Sequence, residues 1–288
     1  MTAFALHLCG TRYTFDRPQL VGILNVTPDS FSDGGRFIDV DHAVEHAHAM
    51  VEEGAGLIDI GAESTRPGSQ PVSEDEETRR LMPVLERLGT SLGVPISVDT
   101  TKSVVARRAL DAGALLINDV SAMRFDPAMA PLIAERQAGV ILMHMQGTPA
   151  TMQHAPSYRN VVREVHAFLT ERRSEAKRQG IRDEQIVLDP GFGFGKLEEH
   201  NVELLREFSQ FTSLGRPLMA GVSRKSFLGT LSGRPVHHRL WGTAAAVAFA
   251  IERGASLIRV HEVAAMRDVL AVASIMISQS PQPYSQNG

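Results

Sequence analysis

The chain has 288 residues, 43% of them hydrophobic, and a formal net charge of −4. That is enough apolar matter for one large core, and barrels of alternating strands and helices commonly occupy about 250 residues as one domain. Charges of both signs are interspersed without a long basic block, which argues against a nucleic-acid partner, and the single cysteine, Cys9, excludes an intrachain disulfide and zinc sites built on several cysteines.

Residues 1–10 lack a basic region followed by an apolar core, and no apolar stretch approaches the roughly 20 residues of a membrane span. A soluble cytoplasmic protein with no membrane partner is expected. Residues 3–8 and 12–15, on either side of Gly10-Thr11, predict a hairpin ahead of the main fold. Residues 20–24 are then a short apolar run that Asn25 ends with an amide. Residues 27–35 are polar and rich in turn formers, with Pro28 and Gly34-Gly35, so the stretch reads as strand followed by loop. One such pair is an ordinary strand and surface loop; its recurrence down the chain is what suggests an active site.

Residues 41–53 predict a helix with Ala43, Val44, Ala47, Met50 and Val51 on one face. The strand 57–61 leads to a second polar loop, residues 63–68. Residues 74–88 read as helical despite Pro83. Short apolar runs then lead in turn to Asp99, Asn118-Asp119, His144, Asp189, Ser223-Arg224-Lys225 and Arg259-Val260-His261. Helices are expected between them over 102–112, 127–138, 161–179, 201–211 and 241–253, with 262–278 last. Several of these helices are closed by glycine.

Eight apolar strand candidates separated by helices predict an α/β fold, a closed (β/α)8 TIM barrel with a short N-terminal β-hairpin. A doubly wound open sheet is the alternative fold. No linker divides the chain, so residues 1–278 read as one domain and residues 279–288 as a flexible C-terminal tail.

In such a barrel the reactive groups sit at the carboxyl ends of the strands. Asp99, Asn118 and Asp189 there suit a flat, nitrogen-rich heterocycle, because a carboxylate accepts two parallel hydrogen bonds from neighbouring N–H donors. Strand-end caps on backbone amides are the other reading of the two aspartates. Arg66, Arg259 and His261 suit phosphate or pyrophosphate, with Asn25 as an oxygen ligand to Mg²⁺; salt bridges to helix carboxylates are the alternative. The run 191–196 is no phosphate loop, since its glycine spacing is wrong and Leu197, not Ser or Thr, follows Lys196; a flexible loop presenting Phe192 and Phe194 is expected. His42, His46 and His48 read as solvated helix residues, and Met143 and Met145 as core and pocket wall.

Eight motifs cover nearly the whole chain: residues 22–35, Glu63-Ser-Thr-Arg-Pro-Gly68, Ile96-Ser-Val-Asp99, Ile117-Asn-Asp119, Met143-His-Met-Gln-Gly147, Leu188-Asp-Pro-Gly-Phe-Gly-Phe-Gly-Lys196, Ser223-Arg-Lys-Ser226 and Ile258-Arg-Val-His261. Together they resemble the dihydropteroate synthases of folate biosynthesis. The resemblance implies condensation of 6-hydroxymethyl-7,8-dihydropterin diphosphate with 4-aminobenzoate, giving 7,8-dihydropteroate and pyrophosphate. It implies that Asp99, Asn118 and Asp189 hold the pterin edge with Lys225, and that Asn25 ligates Mg²⁺. Arg259 and His261 would bind the departing anion, with Arg66 nearby. Ser226 would meet the benzoate carboxylate, Phe31, Thr65, Pro67 and Phe194 would line the benzoate site, and Asp33 would face the reacting carbon. A homodimer is implied as well, with the last two helices as its surface. Two competing readings are a non-catalytic pterin-binding module of a methyl-transfer system and a Schiff-base aldolase using Lys225, its pKa depressed by Arg224.

Overall fold

The computed structural model describes residues 3–27, 40–65, 68–89 and 91–277. Phe31, Asp33, Arg66, Pro67 and the expected tail therefore lie outside the described residues.

Strands β1 (Phe4–Leu8) and β2 (Thr11–Phe15) form the expected antiparallel hairpin. The remaining strands are parallel: β3 (Gln19–Asn25), β4 (Ala55–Gly61), β5 (Ile96–Asp99), β6 (Leu116–Asp119), β7 (Gly139–Met143), β8 (Ile186–Asp189), β9 (Met219–Ala220) and β10 (Leu257–Val260). They follow one another in the order β8-β7-β6-β5-β4-β3-β10-β9. A parallel bridge between Leu188 and Leu218 joins β8 to the start of β9 and closes the ring. This is the eight-stranded barrel that the repeated apolar runs predict.

Helices α1 (Val40–Glu52), α2 (Glu74–Leu88), α3 (Ser103–Asp111), α4 (Met129–Arg136), α5 (Val161–Arg178), α6 (Glu198–Arg206), α7 (Ser226–Ser232), α8 (Leu240–Glu252) and α9 (Val263–Ile277) complete it. Their apolar faces pack on the outer faces of the strands in one continuous core. Pro83 lies on the exposed face of α2, so the hydrogen bond it deletes is on the solvent side and the helix runs through it.

Two expectations are corrected. The helix predicted over 201–211 starts earlier, at Glu198, and ends at Arg206; Phe208–Leu214 is a 3-10 turn that tucks Phe208, Phe211 and Leu214 into the core. The stretch after Lys225, for which no element was expected, contains α7, whose seven residues are too few for a clear apolar period.

Side chains alternate along each strand, so every second residue enters the barrel. Val21, Leu57, Leu116, Ile141, Val187, Met219 and Leu257 form an apolar layer near the strand starts, and Leu6 and Leu8 of the hairpin pack against it. The hairpin thus plugs the bottom of the barrel. Gly139 allows the close approach: a Cβ there would stand 2.5 Å from Leu8 Cδ2. The Cys9 N–H also donates to the Gln137 carbonyl at 2.8 Å.

Candidate active site

Above that apolar layer the inward positions turn polar, two residues on in β6 and four in β3 and β4. Asn25, Gly61, Asp99 and Asn118 stand in one register row across β3, β4, β5 and β6. Gly61 has no side chain there; a Cβ at its position would lie 3.6 Å from Asp99 Cβ and 3.9 Å from Asn25 Oδ1. The row therefore sets Asn25 beside Asp99.

Below it on β4 lies Asp59, fully buried. Asn118 Nδ2 donates to Asp59 Oδ2 at 3.1 Å, and Arg259 Nε donates to the same oxygen at 2.6 Å. Arg259 Nη2 reaches Asp99 Oδ2 at 3.3 Å. Arg259 thus lies within β10 rather than beyond it, and its partners are strand carboxylates, not the helix carboxylates weighed from sequence. Burial, then the neighbouring Asp59 charge, push the Asp99 carboxyl well above the usual range, and Arg259 opposes them. Asp59 Oδ1, Asn118 Oδ1 and Ser97 Oγ are buried without a hydrogen-bond partner among the described residues. Unmet acceptors of this kind point to a donor-rich ligand.

Asp189, at the end of β8, is 3% exposed. Its Oδ1 accepts the Gly191 N–H at 2.7 Å, so it is a strand-end cap on one oxygen. Burial raises its pKa to about 6, against the pull of that hydrogen bond and of Lys225. The following turn is not the flexible loop expected from its glycines. Gly191 has φ +73° and a Cβ on it would fall 2.0 Å from the His144 carbonyl oxygen. Phe192 is buried, stacked at 6.1 Å on Phe208 and 6.3 Å on Phe227. Phe194 alone faces the site, half-buried, with Lys225 Nζ 4.3 Å above its ring. His144, counted from sequence among the groups on the rim, is instead buried against Lys196.

Lys225 precedes α7 and Ser226 begins it, exposed. Burial, then the Arg259 charge, lower the Lys225 pKa to about 8, so it remains mostly protonated at pH 7. Arg224 is not the cause expected from sequence; it is ion-paired with Glu262. His261 Nδ1 meets Ser223 Oγ at 2.9 Å, which fixes the ring at the mouth. Thr65 is half-buried in the loop after β4. The base of that loop is held by Glu63, which pairs with Lys102 and accepts the Val72 N–H at 3.0 Å; Lys102 also pairs with Glu77.

The structure therefore brings Asn25, Asp99, Asn118, Asp189, Lys225 and Arg259 to one end of the barrel, with Phe194 and His261 on adjoining segments. Asp59, Lys196 and Ser223 were assigned no role from sequence. For Asp59 a signal existed: a carboxylate inside an otherwise apolar parallel strand needs a partner. His42 and His46 are exposed on α1 and His48 is half-buried. Among the described residues no group of three or more His, Cys, Asp or Glu side chains is placed to hold a metal. The Asn25 amide oxygen is a donor of the kind that suits Mg²⁺, which commonly takes only one or two protein ligands.

The chain matches the family described as "Pterin binding enzyme" over residues 21–261. It is 45% identical to the dihydropteroate synthase of Synechocystis, over 90% of each chain. Among solved structures it is similar to Xanthomonas albilineans dihydropteroate synthase with 4-aminobenzoic acid, at 47% identity and TM-score 0.90, over 97% of this chain and 100% of that one. The same bacterium's enzyme in complex with 7,8-dihydropteroate is 44% identical, with TM-score 0.86, over 96% of this chain and 100% of that one.

Proposed function

The chain belongs to the dihydropteroate synthase family, and from that premise we propose how its residues divide the work of the reaction. It is a transferase of folate biosynthesis: it joins 6-hydroxymethyl-7,8-dihydropterin diphosphate to 4-aminobenzoate and releases pyrophosphate. The observation that carries the assignment of roles is the polar layer of Asp59, Asp99, Asn118 and Asp189, with unmet acceptors above an apolar floor. The pterin edge donates to Asp189 and Asn118, and Lys225 donates to the ring from the side of Phe194. Asp59 keeps Asn118 and Arg259 in place. A guanidinium has five N–H donors; those on Nε and Nη2 meet the carboxylates, and the rest are available to the diphosphate, with His261 beside them.

The electron-rich dihydropterin supports a cation at its exocyclic carbon as pyrophosphate departs, so the leaving group needs cations and the carbon needs nearby negative charge. Arg259 and His261 serve the first need; the family resemblance alone adds Arg66 to them and assigns Asp33 to the second. The amine of 4-aminobenzoate is already a neutral nucleophile, so no strong general base is required. Phe194 and Thr65 face its ring and Ser226 receives its carboxylate; the family resemblance alone adds Phe31 and Pro67 to the ring site. Mg²⁺, held by Asn25, would when bound neutralise diphosphate charge. A lowered Lys225 pKa suits an amine nucleophile as well, so it does not separate the two readings; the family match over residues 21–261 is what sets the aldolase aside. The diphosphate charge keeps the pterin substrate from crossing a bilayer unaided, which favours a cytoplasmic location. Among the described residues no helix is long and apolar enough to cross a membrane.

A pyrophosphate-release assay with both substrates tests the reaction; no release with either the pterin diphosphate or 4-aminobenzoate present alone, and release with both, is the expected result. Asn25→Ala should raise the Mg²⁺ concentration for half-maximal release by roughly tenfold, the size of one lost ligand contact. An unchanged Mg²⁺ titration would remove Asn25 as a ligand.

We also propose a homodimer through α8 and α9. Trp241 and Met276 are each 81% exposed, on helices that pack side by side, and Phe249, Val272 and Ile275 add to the apolar face. Trp241→Glu combined with Met276→Glu should give monomers in analytical ultracentrifugation at micromolar concentration. A variant that sediments as the parent does would place the interface elsewhere.

A further inference from the structure

Lys196 is 3% exposed, yet its Nζ contacts only uncharged acceptors. His144 Nδ1 and the Gly191 carbonyl lie at 2.8 Å, the Phe194 carbonyl at 3.1 Å and the His144 carbonyl at 3.4 Å. A buried lysine ordinarily has a carboxylate against it. Burial holds its pKa well below the usual range, but the contacts survive either state. A neutral amine has two N–H groups for the carbonyls of Gly191 and Phe194 and a lone pair for a proton on His144 Nδ1. An ammonium has a third N–H for the same nitrogen.

What these contacts gather is the turn between the two substrate groups. At one end Gly191 holds Asp189 Oδ1 through its N–H, at 2.7 Å. At the other end Phe194 carries the ring beneath Lys225. The outer side of the turn is tied separately, by the Gly193 N–H to Asn201 Oδ1 at 2.7 Å and by the Tyr158 hydroxyl to the Gly195 carbonyl at 2.7 Å. The Phe194 N–H also donates directly to the Gly191 carbonyl, at 3.3 Å. Lys196 is the tie from beneath, the one side chain among these that bonds the carbonyls of both ends.

We propose that Lys196 and His144 form a buried positioning pair that sets the spacing between Asp189 and Phe194, and so between the pterin and the 4-aminobenzoate. This rests on the assignment of those two groups to the two substrates. Neither member touches substrate; both act through the turn. Misplacement of a positioned group by an ångström is enough to change rates by up to about a hundredfold.

Three variants separate this role from mere support of the fold. Lys196→Met keeps the stem and removes the nitrogen. His144→Phe keeps a ring against Phe168, whose centroid is 4.8 Å away, and removes the acceptor. His144→Asn does the reverse, keeping an acceptor near Nδ1 and losing the ring. Lys196→Met and His144→Phe should each raise KM for 4-aminobenzoate and weaken pterin binding by roughly tenfold. His144→Asn should stay within about threefold of the parent, although it sacrifices the ring contact. A purely structural pair gives the opposite ranking, with melting temperature following the ring and both constants unmoved. Parent-like constants in Lys196→Met and His144→Phe would overturn the proposal; should Lys196→Met not fold, the two His144 variants decide by their ranking. Asp189→Asn and Phe194→Ala, measured alongside, keep the two readings apart. If these lose affinity while Lys196→Met and His144→Phe do not, the positioning pair alone fails; if these too are parent-like, the substrate assignment fails first.

Discussion

Arg259→Met unfolds at a lower temperature than the parent, by roughly 6–15 °C, and turns over on the order of 10²-fold more slowly at temperatures where it is still folded. The two losses have different causes. Arg259 Nε lies 2.6 Å from Asp59 Oδ2 and Nη2 lies 3.3 Å from Asp99 Oδ2, with the three side chains 21%, 0% and 8% exposed. Removing the cation strands two carboxylates in the interior. Breaking a buried pair from one side typically costs about 3–5 kcal/mol, mostly because the abandoned charge has no solvent. The kinetic loss comes instead from the departing pyrophosphate, which loses a cation that is worth most as the bond breaks. A second substitution separates them. Asp59→Asn in the Arg259→Met background removes one stranded charge and should recover part of the melting temperature while leaving turnover low. Calorimetric melting and single-turnover pyrophosphate release measure the two. A parent-like melting temperature would show that Arg259 carries no buried ion pair, and parent-like release would remove it from the leaving-group site.

Asp189→Asn binds the pterin ten to more than a hundredfold more weakly, corresponding to about 1.5–3 kcal/mol for a charge-assisted hydrogen bond. The fold should survive, because the amide oxygen of asparagine still accepts the Gly191 N–H that Oδ1 accepts now. What asparagine cannot do is present a second acceptor to an adjacent N–H. The same carboxylate gives the parent a pH signature. Its folded-state pKa, about 6, is raised above the ordinary 3.8 by burial. The charged, binding-competent form is therefore present above pH 6 and is lost as pH falls through it. Parent affinity should decline between pH 7 and pH 5, and Asp189→Asn should lack that decline. Titration calorimetry across this range checks both statements; an affinity that ignores pH in the parent, or that survives the substitution, removes Asp189 from the pterin edge.

The barrel was legible because its strands are continuous apolar runs that end in polar residues, while its helices carry a different period. Leu57-Ile58-Asp59-Ile60 shows the limit of that reading. The run identifies the strand, but the role of Asp59 is not local, because the residues that neutralise it are distant in sequence: Asn118 is 59 positions away and Arg259 is 200. Lys196 was obscure for a related reason. A Gly-Phe-Gly-Phe-Gly run looks loose, and only the tertiary approach of the His144 strand end makes it a fixed turn. The α7 helix leaves little local signal, because propensity is weak over seven residues with Gly229 among them. Legible without any fold were the polar strand ends themselves, Asp99, Asn118, Asp189 and Arg259, since topology sends them all to one end.

The hairpin at the foot of the barrel has a consequence for traffic. With Leu6 and Leu8 seated under the apolar layer, the barrel is a room with one door. On the proposed assignment, the pterin occupies the back of that room, over Asp59 and Asn118, and 4-aminobenzoate stands nearer the threshold, beside Phe194 and Ser226. A benzoate that arrives first stands in the doorway, and the pterin cannot pass behind it. Sequence of arrival then follows from the floor plan, and the joined product leaves as it was assembled, benzoate end foremost.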